Sequence, residues 1–190
     1  MLESLVEFAP DGSPCPAHLI CMPRLVSVKF GDIEDLAHDS LAALATAAPQ
    51  LKTMVALKAR LTGIPMVRIS FLRLTRLQTI SSFAAQLLPV LGAPRLADFD
   101  LELSYKHYWV PDVSAWPSIT SLAIRNNIDP FDSVSVRGAM LDALPNFTTL
   151  RLPPVVKWID GPAPTLSHVK FLAASTMTFA TFPNRALPAL

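Results

Sequence analysis

One phrase, a proline followed by apolar residues two, five and seven positions later, recurs along almost the whole chain and constrains its fold more than any other feature. Clear copies are MPRLVSVKF from Met22, APRLADFDL from Ala93, WPSITSLAI from Trp116, LPNFTTLRL from Leu144 and APTLSHVKF from Ala163. APQLKTMVA from Ala48 is looser, and LTRLQTISS from Leu74 has Thr75 where the others have proline. With that position as the phase marker, copies fall at 23, 49, 75, 94, 117, 145 and 164, and Pro188 opens one more. Steps of 19 to 28 residues belong to a stacked array in which each unit packs on its neighbours and none buries its apolar face alone.

Inside each copy the last apolar positions alternate with polar ones, as in Leu150, Arg151, Leu152 or Val169, Lys170, Phe171. That alternation is the period of a short half-buried strand. Proline has no N–H to donate and biases the residue before it toward extended geometry, so it fits the approach to a strand and not its interior. Stacked in register, the strands are expected to form one parallel sheet. Between them, residues 41–48 (LAALATAA), 83–91 (FAAQLLPVL) and 136–144 (VRGAMLDAL) are rich in Ala and Leu, as expected for one or two helical turns. Pro89 should shorten the second.

These phrases resemble the irregular leucine-rich repeats in the carboxyl-terminal part of fungal F-box proteins, where APxLxxLxL and LPxLxxLxL recur. The resemblance covers residues 22–172, and Leu122, Ile124 and Asn127 reproduce the LxLxxN ending of the regular repeat. It implies an α/β fold: a curved leucine-rich-repeat solenoid with a parallel β-sheet on the concave face and short helices or irregular turns outside. The expected organisation is an amino-terminal flank or partial repeat at 1–21, about seven irregular repeats over 22–172, and an incomplete carboxyl-terminal repeat at 173–190. No F-box segment is read before Met22.

Composition agrees with one packed unit. The 190 residues are 51% hydrophobic and only 16% charged, with a formal net charge of +1, so no global field favours nucleic acid or an anionic membrane. The 18 prolines fall mostly at the phase marker and in linking loops. MLESLVEF lacks the basic and apolar regions of a secretory signal, and no apolar run is long enough to span a bilayer. Two cysteines, Cys15 and Cys21, make no disulfide framework, so the cytoplasm or nucleus is expected. Asn146, Phe147 and Thr148 form a glycosylation sequon that would matter only in a secreted chain.

Counted from the phase marker, side chains at plus four, six and eight point away from the core. The plus-six row reads Lys29, Val55, Ser81, Asp100, Ala123, Arg151 and Lys170. Asp98, Asp100 and Glu102 are expected to form an acidic ridge, with Arg125, Arg151, His168 and Lys170 following as a basic sector. Opposed sectors of this kind orient a partner of the reverse pattern. The plain alternative is an ordinary solvated sheet surface. A second candidate surface is the loop at 105–116 (YKHYWVPDVSAW), with Tyr108 and Trp109 as candidate contacts, although such rings also serve as packing. Trp158 reads as core.

Signals for chemistry are weak. Cys15, His18 and Cys21 lack a fourth zinc ligand nearby in sequence, and no phosphate loop, nucleophile elbow or HExxH helix occurs. The four histidines are dispersed. The expectation is therefore a non-catalytic protein–protein recognition module without cofactor or metal. The resemblance implies the substrate-binding part of an F-box-type ubiquitin ligase subunit lacking a visible F-box, with ubiquitin-ligase components as partners if an F-box is present upstream. The alternative is a truncated or degenerate repeat paralogue that acts as a scaffold or has no specific partner, a reading motivated by the unfinished copy at Pro188 and the core-type residues Phe171, Phe179 and Phe182 beside it.

Overall fold

The computed structural model describes residues 4–5, 22–30, 35–63, 68–103, 110–126, 133–159, 164–165 and 169–174. In chain order the first elements are β1 (Ser4–Leu5), β2 (Ser27–Phe30), β3 (Asp35–Ala37), α1 (His38–Ala47), β4 (Thr53–Ala56), β5 (Arg60–Thr62) and β6 (Ile69–Ser70). Then come β7 (Arg76–Ile80), α2 (Ser81–Leu87), β8 (Leu91–Gly92), β9 (Asp98–Leu103) and β10 (Ser121–Asn126). The last are β11 (Val134–Arg137), α3 (Gly138–Asp142), β12 (Thr149–Leu152), β13 (Val156–Ile159) and β14 (Phe171–Ala174).

The expectation of an α/β chain built on a parallel sheet holds. Eight strands pair in the order β1-β2-β4-β7-β9-β10-β12-β14, all parallel. From β2 onward each strand of this main sheet comes from one repeat and pairs with the strand of the next. Two more strands complete the sheet at its ends, β1 at Ser4–Leu5 and β14 at Phe171–Ala174.

Every described repeat up to the sixth approaches its strand through the same turn. The N–H two residues past the marker donates to the carbonyl just before it: Leu25 to Met22, Leu51 to Ala48, Leu74 to Phe71, Leu96 to Ala93, Ile119 to Trp116 and Phe147 to Leu144, at 2.9–3.3 Å. The proline is thus the second residue of a four-residue turn, a position its fixed φ already satisfies.

A second set of bonds ties each repeat to the next. The Val26 carbonyl accepts from the N–H groups of Lys52 and Thr53, Lys52 from Thr75 and Arg76, Thr75 from Ala97 and Asp98, Ala97 from Thr120 and Ser121, and Thr120 from Thr148 and Thr149. Where this position is threonine the hydroxyl adds a third bond: Thr75 to the Lys52 carbonyl, Thr120 to Ala97 and Thr148 to Thr120, each at 3.2 Å. Buried backbone groups at the strand starts are thereby satisfied.

This bonding corrects the phase in two repeats. In the third, the Leu74-to-Phe71 turn and the register Leu77 opposite Met54 and Phe99 put the marker at Leu72, three residues before Thr75. In the last, Leu172 lies opposite Leu150 and the Lys170 N–H donates to Thr148, which puts the marker three residues after Pro164. Pro164 is accordingly buried, whereas Pro23, Pro49, Pro94, Pro117 and Pro145 are exposed. The steps become 26, 23, 22, 23, 28 and 22 residues.

Behind the main sheet the connections form short parallel ladders, β3 with β5, β6 with β8 and β11 with β13, and three short helices. Helix α1 starts three residues before the expected 41–48 and buries Leu41 and Leu44. Helix α2 ends two residues before Pro89, and Val136 lies in β11, not in α3. Helices this short depend on packing for their stability. Side-chain clips join neighbouring repeats: the Gln86 amide oxygen accepts from the Leu61 N–H at 3.1 Å, and the Asp142 carboxylate accepts from the N–H and hydroxyl of Thr165 at 3.1 and 3.0 Å. Gly63 takes φ of 93° next to His38, a conformation that favours glycine.

Between these layers runs one core, with Leu25, Val28, Leu51, Met54, Leu74, Leu77, Leu96, Phe99, Ile119, Leu122 and Leu150 from successive repeats among its fully buried members. These are the plus-two and plus-five positions. Thr79 lies in the core at plus seven, its hydroxyl satisfied by the Ala56 carbonyl at 3.1 Å. Each large aliphatic or aromatic side chain so buried contributes about 2–3 kcal/mol.

Candidate protein-interaction face

The register of the main sheet sets out its outer face in rows. At plus four stand Ser27, Thr53, Arg76, Asp98, Ser121 and Thr149, and at plus six Lys29, Val55, Gln78, Asp100, Ala123 and Arg151. Where the longer strands continue, Ile80, Glu102 and Arg125 form a third row. Gln78 holds the place expected for Ser81, which is buried at the start of α2. Ala173 holds the place expected for Lys170, which is exposed three residues earlier at the entrance to β14. Both displacements follow from the three-residue phase shift.

The acids do not form a free ridge. The Asp98 carboxylate meets the Arg76 Nε at 3.2 Å, and the Asp100 carboxylate meets the Arg125 guanidinium at 2.5 Å. Glu102, the register neighbour of Arg125, is half-buried and makes no ion pair among the described residues. Basic and acidic charge therefore interleave across three adjacent strands. Exposed cations flank them: Lys29 toward one edge and Arg151 toward the other.

Asp100 is the unusual member. On the outer face of the sheet it is only 3% exposed, and Ala123, its register neighbour, is 7% exposed. Both are short side chains among the longer Gln78, Glu102, Arg125 and Arg151. Burial raises the Asp100 pKa above the ordinary carboxylate value, helped by the nearby negative charge of Asp98; Arg125 opposes the shift and does not overcome it. Its Oδ1 has no hydrogen-bond partner while Oδ2 is held by Arg125. The Oδ1 is itself buried, so the group this pair presents outward is the half-exposed Arg125 guanidinium, whose further N–H groups suit polar recognition.

Other expected sites fall differently. Trp116 is buried in the core, and its N–H closes a turn onto the Val113 carbonyl. Trp158 is partly buried and packs on the core, as its sequence reading expected. In the sequon, the Asn146 amide donates to the Pro117 carbonyl at 3.0 Å, Phe147 is core and the Thr148 hydroxyl joins the inter-repeat ladder. All three side chains thus serve the stack. Tyr108, Trp109 and His168, with Cys15, His18 and Cys21, lie outside the described residues. Among the described residues no group of three His, Cys, Asp or Glu side chains is placed to hold a metal ion, and no helix is long and apolar enough to cross a membrane.

Sequence reasoning missed Arg76 and Gln78 on this face. The available signal was the turn: FLRLTRLQT, with Leu72 at the proline position, fits the phrase and puts both residues in their rows. No protein-family model, curated protein or solved structure matches this chain.

Proposed function

We propose that the chain is a leucine-rich-repeat recognition module, without catalysis of its own, whose main sheet forms the concave face and holds a protein partner. The observation that carries this reading is the in-register pairing of consecutive repeats, which draws Lys29, Gln78, Asp100 and Arg151 from four separate repeats into one row. Such a row is rigid, because every strand in it is hydrogen-bonded to the next, and rigid display of polar groups lowers the entropy cost of association. Interleaved charges favour one partner orientation over others. Arg125 and Arg151 are the cations, and Asp98 and Glu102 the acids, expected at its contacts.

The APxLxxLxL phrases resemble the carboxyl-terminal repeats of fungal F-box proteins, and this supports reading the partner as a ubiquitin-ligase substrate and the chain as the substrate-binding part, working in the cytoplasm or nucleus. The test is photo-crosslinking from single sites in the full chain. A crosslinking residue at Gln78 or Arg151 is expected to capture one discrete partner, and one at Ala43 or Gln86 on the helices none. Capture from the helices alone would reject the sheet face. If the ligase reading holds, the captured partner accumulates when ubiquitin ligation is blocked; an unchanged level rejects that part while leaving recognition intact.

A further inference from the structure

A second surface carries charge with less to offset it. The turns that precede the strands line up along one rim of the main sheet, and the position after the marker holds Arg24, Gln50, Arg73 and Arg95 in four successive repeats. Lys52 lies two residues further along in the second of these. Arg24, Lys52, Arg73 and Arg95 are all exposed, and none of them meets a carboxylate of the described residues. Neighbouring strands of a sheet lie about 4.8 Å apart, so the row from Arg24 to Arg95 spans about 14 Å. The same turns display aliphatic surface: Val26 is 36% and Leu72 is 65% exposed, and they are the large hydrophobic side chains that stand exposed among the described residues.

We propose that this rim binds an acidic segment of another protein in which carboxylates are interspersed with apolar side chains, laid across the turns of the first four repeats. Guanidinium groups match carboxylates in planar, bidentate pairs, and the exposed aliphatic side chain of Leu72, next to Arg73 in the same turn, gives an apolar residue of the ligand something to cover. Single-stranded nucleic acid fits the charge and not the rest, since the aromatic ring in these turns, Phe71, is buried in the core and leaves a base nothing to stack on. An anionic bilayer needs more apolar surface than two aliphatic side chains provide. The rim is a different surface from the sheet face, and its binding does not rest on the function proposed above.

The test uses the full chain and a fluorescein-labelled peptide of Glu-Glu-Leu repeats, followed by anisotropy, beside the same peptide with Ser for Leu, oligo-dT, and vesicles of phosphatidylcholine with phosphatidylserine. The Leu peptide is expected to bind best. Its affinity should fall roughly tenfold with Arg73→Glu and Arg95→Glu together, and fall with added salt. Arg73→Gln with Arg95→Gln, which introduces no new charge and leaves the fold unstressed, should lose part of that binding. Arg151→Glu on the sheet face should leave it unchanged. No binding of the Leu peptide, equal binding of the Ser peptide, equal binding by the paired rim variants, or tighter binding of oligo-dT or vesicles would each overturn the proposal.

Discussion

The Arg125 guanidinium passes over its own register neighbour, Glu102, and closes instead on Asp100, two residues back on the adjacent strand. A nearly buried carboxylate is thereby held by a cation that remains 49% exposed. The pair is unequal. Arg125 keeps much of its hydration, whereas Asp100 has given up nearly all of its own.

That inequality fixes the pH dependence. The folded-state pKa of Asp100 is raised, so the native chain holds this proton more tightly than the unfolded chain does. Stability from this group is fully present below the ordinary value of 3.8 and is lost as pH rises through the folded-state pKa. Asp100→Asn mimics the protonated side chain and is therefore expected to be more stable than the parent at neutral pH and to match it in acid below 3.8. Denaturant unfolding at the two pH values measures this. A less stable Asn variant at neutral pH would contradict it.

Removing the other partner acts in the opposite direction. Arg125→Ala leaves the ionised Asp100 buried with no counter-charge, at a cost of about 1–3 kcal/mol at neutral pH. The cost should shrink in acid as Asp100 takes up its proton, and it should largely vanish in the background of Asp100→Asn. A double-mutant cycle of the two substitutions reads the coupling directly.

Leu72 occupies the turn position that is proline in the neighbouring repeats, and it is largely exposed. Its N–H makes no backbone bond in the turn, so a proline there removes nothing from the folded chain. Leu72→Pro is expected to stabilise by about 0.4–1 kcal/mol through the unfolded state, read as a rise in the denaturant midpoint at constant slope.

Gly63 lies at φ of 93° with the His38 Cβ 3.8 Å from where a methyl group would stand. Space is adequate and the backbone is not. Gly63→Ala is expected to destabilise by about 1–2 kcal/mol from conformational strain alone, measured by the same unfolding assay.

How far the sequence could be read is shown by the two displaced repeats. Five copies announce their phase because proline sits where the turn wants a fixed φ. In the third repeat Leu74, Leu77 and Ile80 recur every third residue, and in the last Leu166, Val169 and Leu172 do the same. A three-residue apolar spacing fits the phrase at two phases, and only the turn bond and strand register separate them. The charged face was legible in composition, since Asp98, Asp100, Glu102, Arg125 and Arg151 do lie on it. The pairing was not, because it depends on a diagonal reach between strands 25 residues apart in sequence. Nor did any sequence signal mark Asp100 as buried, since that follows from the lengths of the side chains around it.

The measurement that tests the central claim most directly is disulfide formation across the main sheet, in a chain with Cys15→Ser and Cys21→Ser. Val55 and Gln78 are register neighbours, and neighbouring strands about 4.8 Å apart bring Cα atoms within disulfide reach. Val55→Cys with Gln78→Cys should therefore oxidise fully to an intramolecular bond, read by mass and free-thiol content, without loss of cooperative unfolding. Val55→Cys with Ser81→Cys, the pair set by the proline phrase alone, should stay reduced. Oxidation of the second pair and not the first would contradict the register on which the shared row of Lys29, Gln78, Asp100 and Arg151 depends.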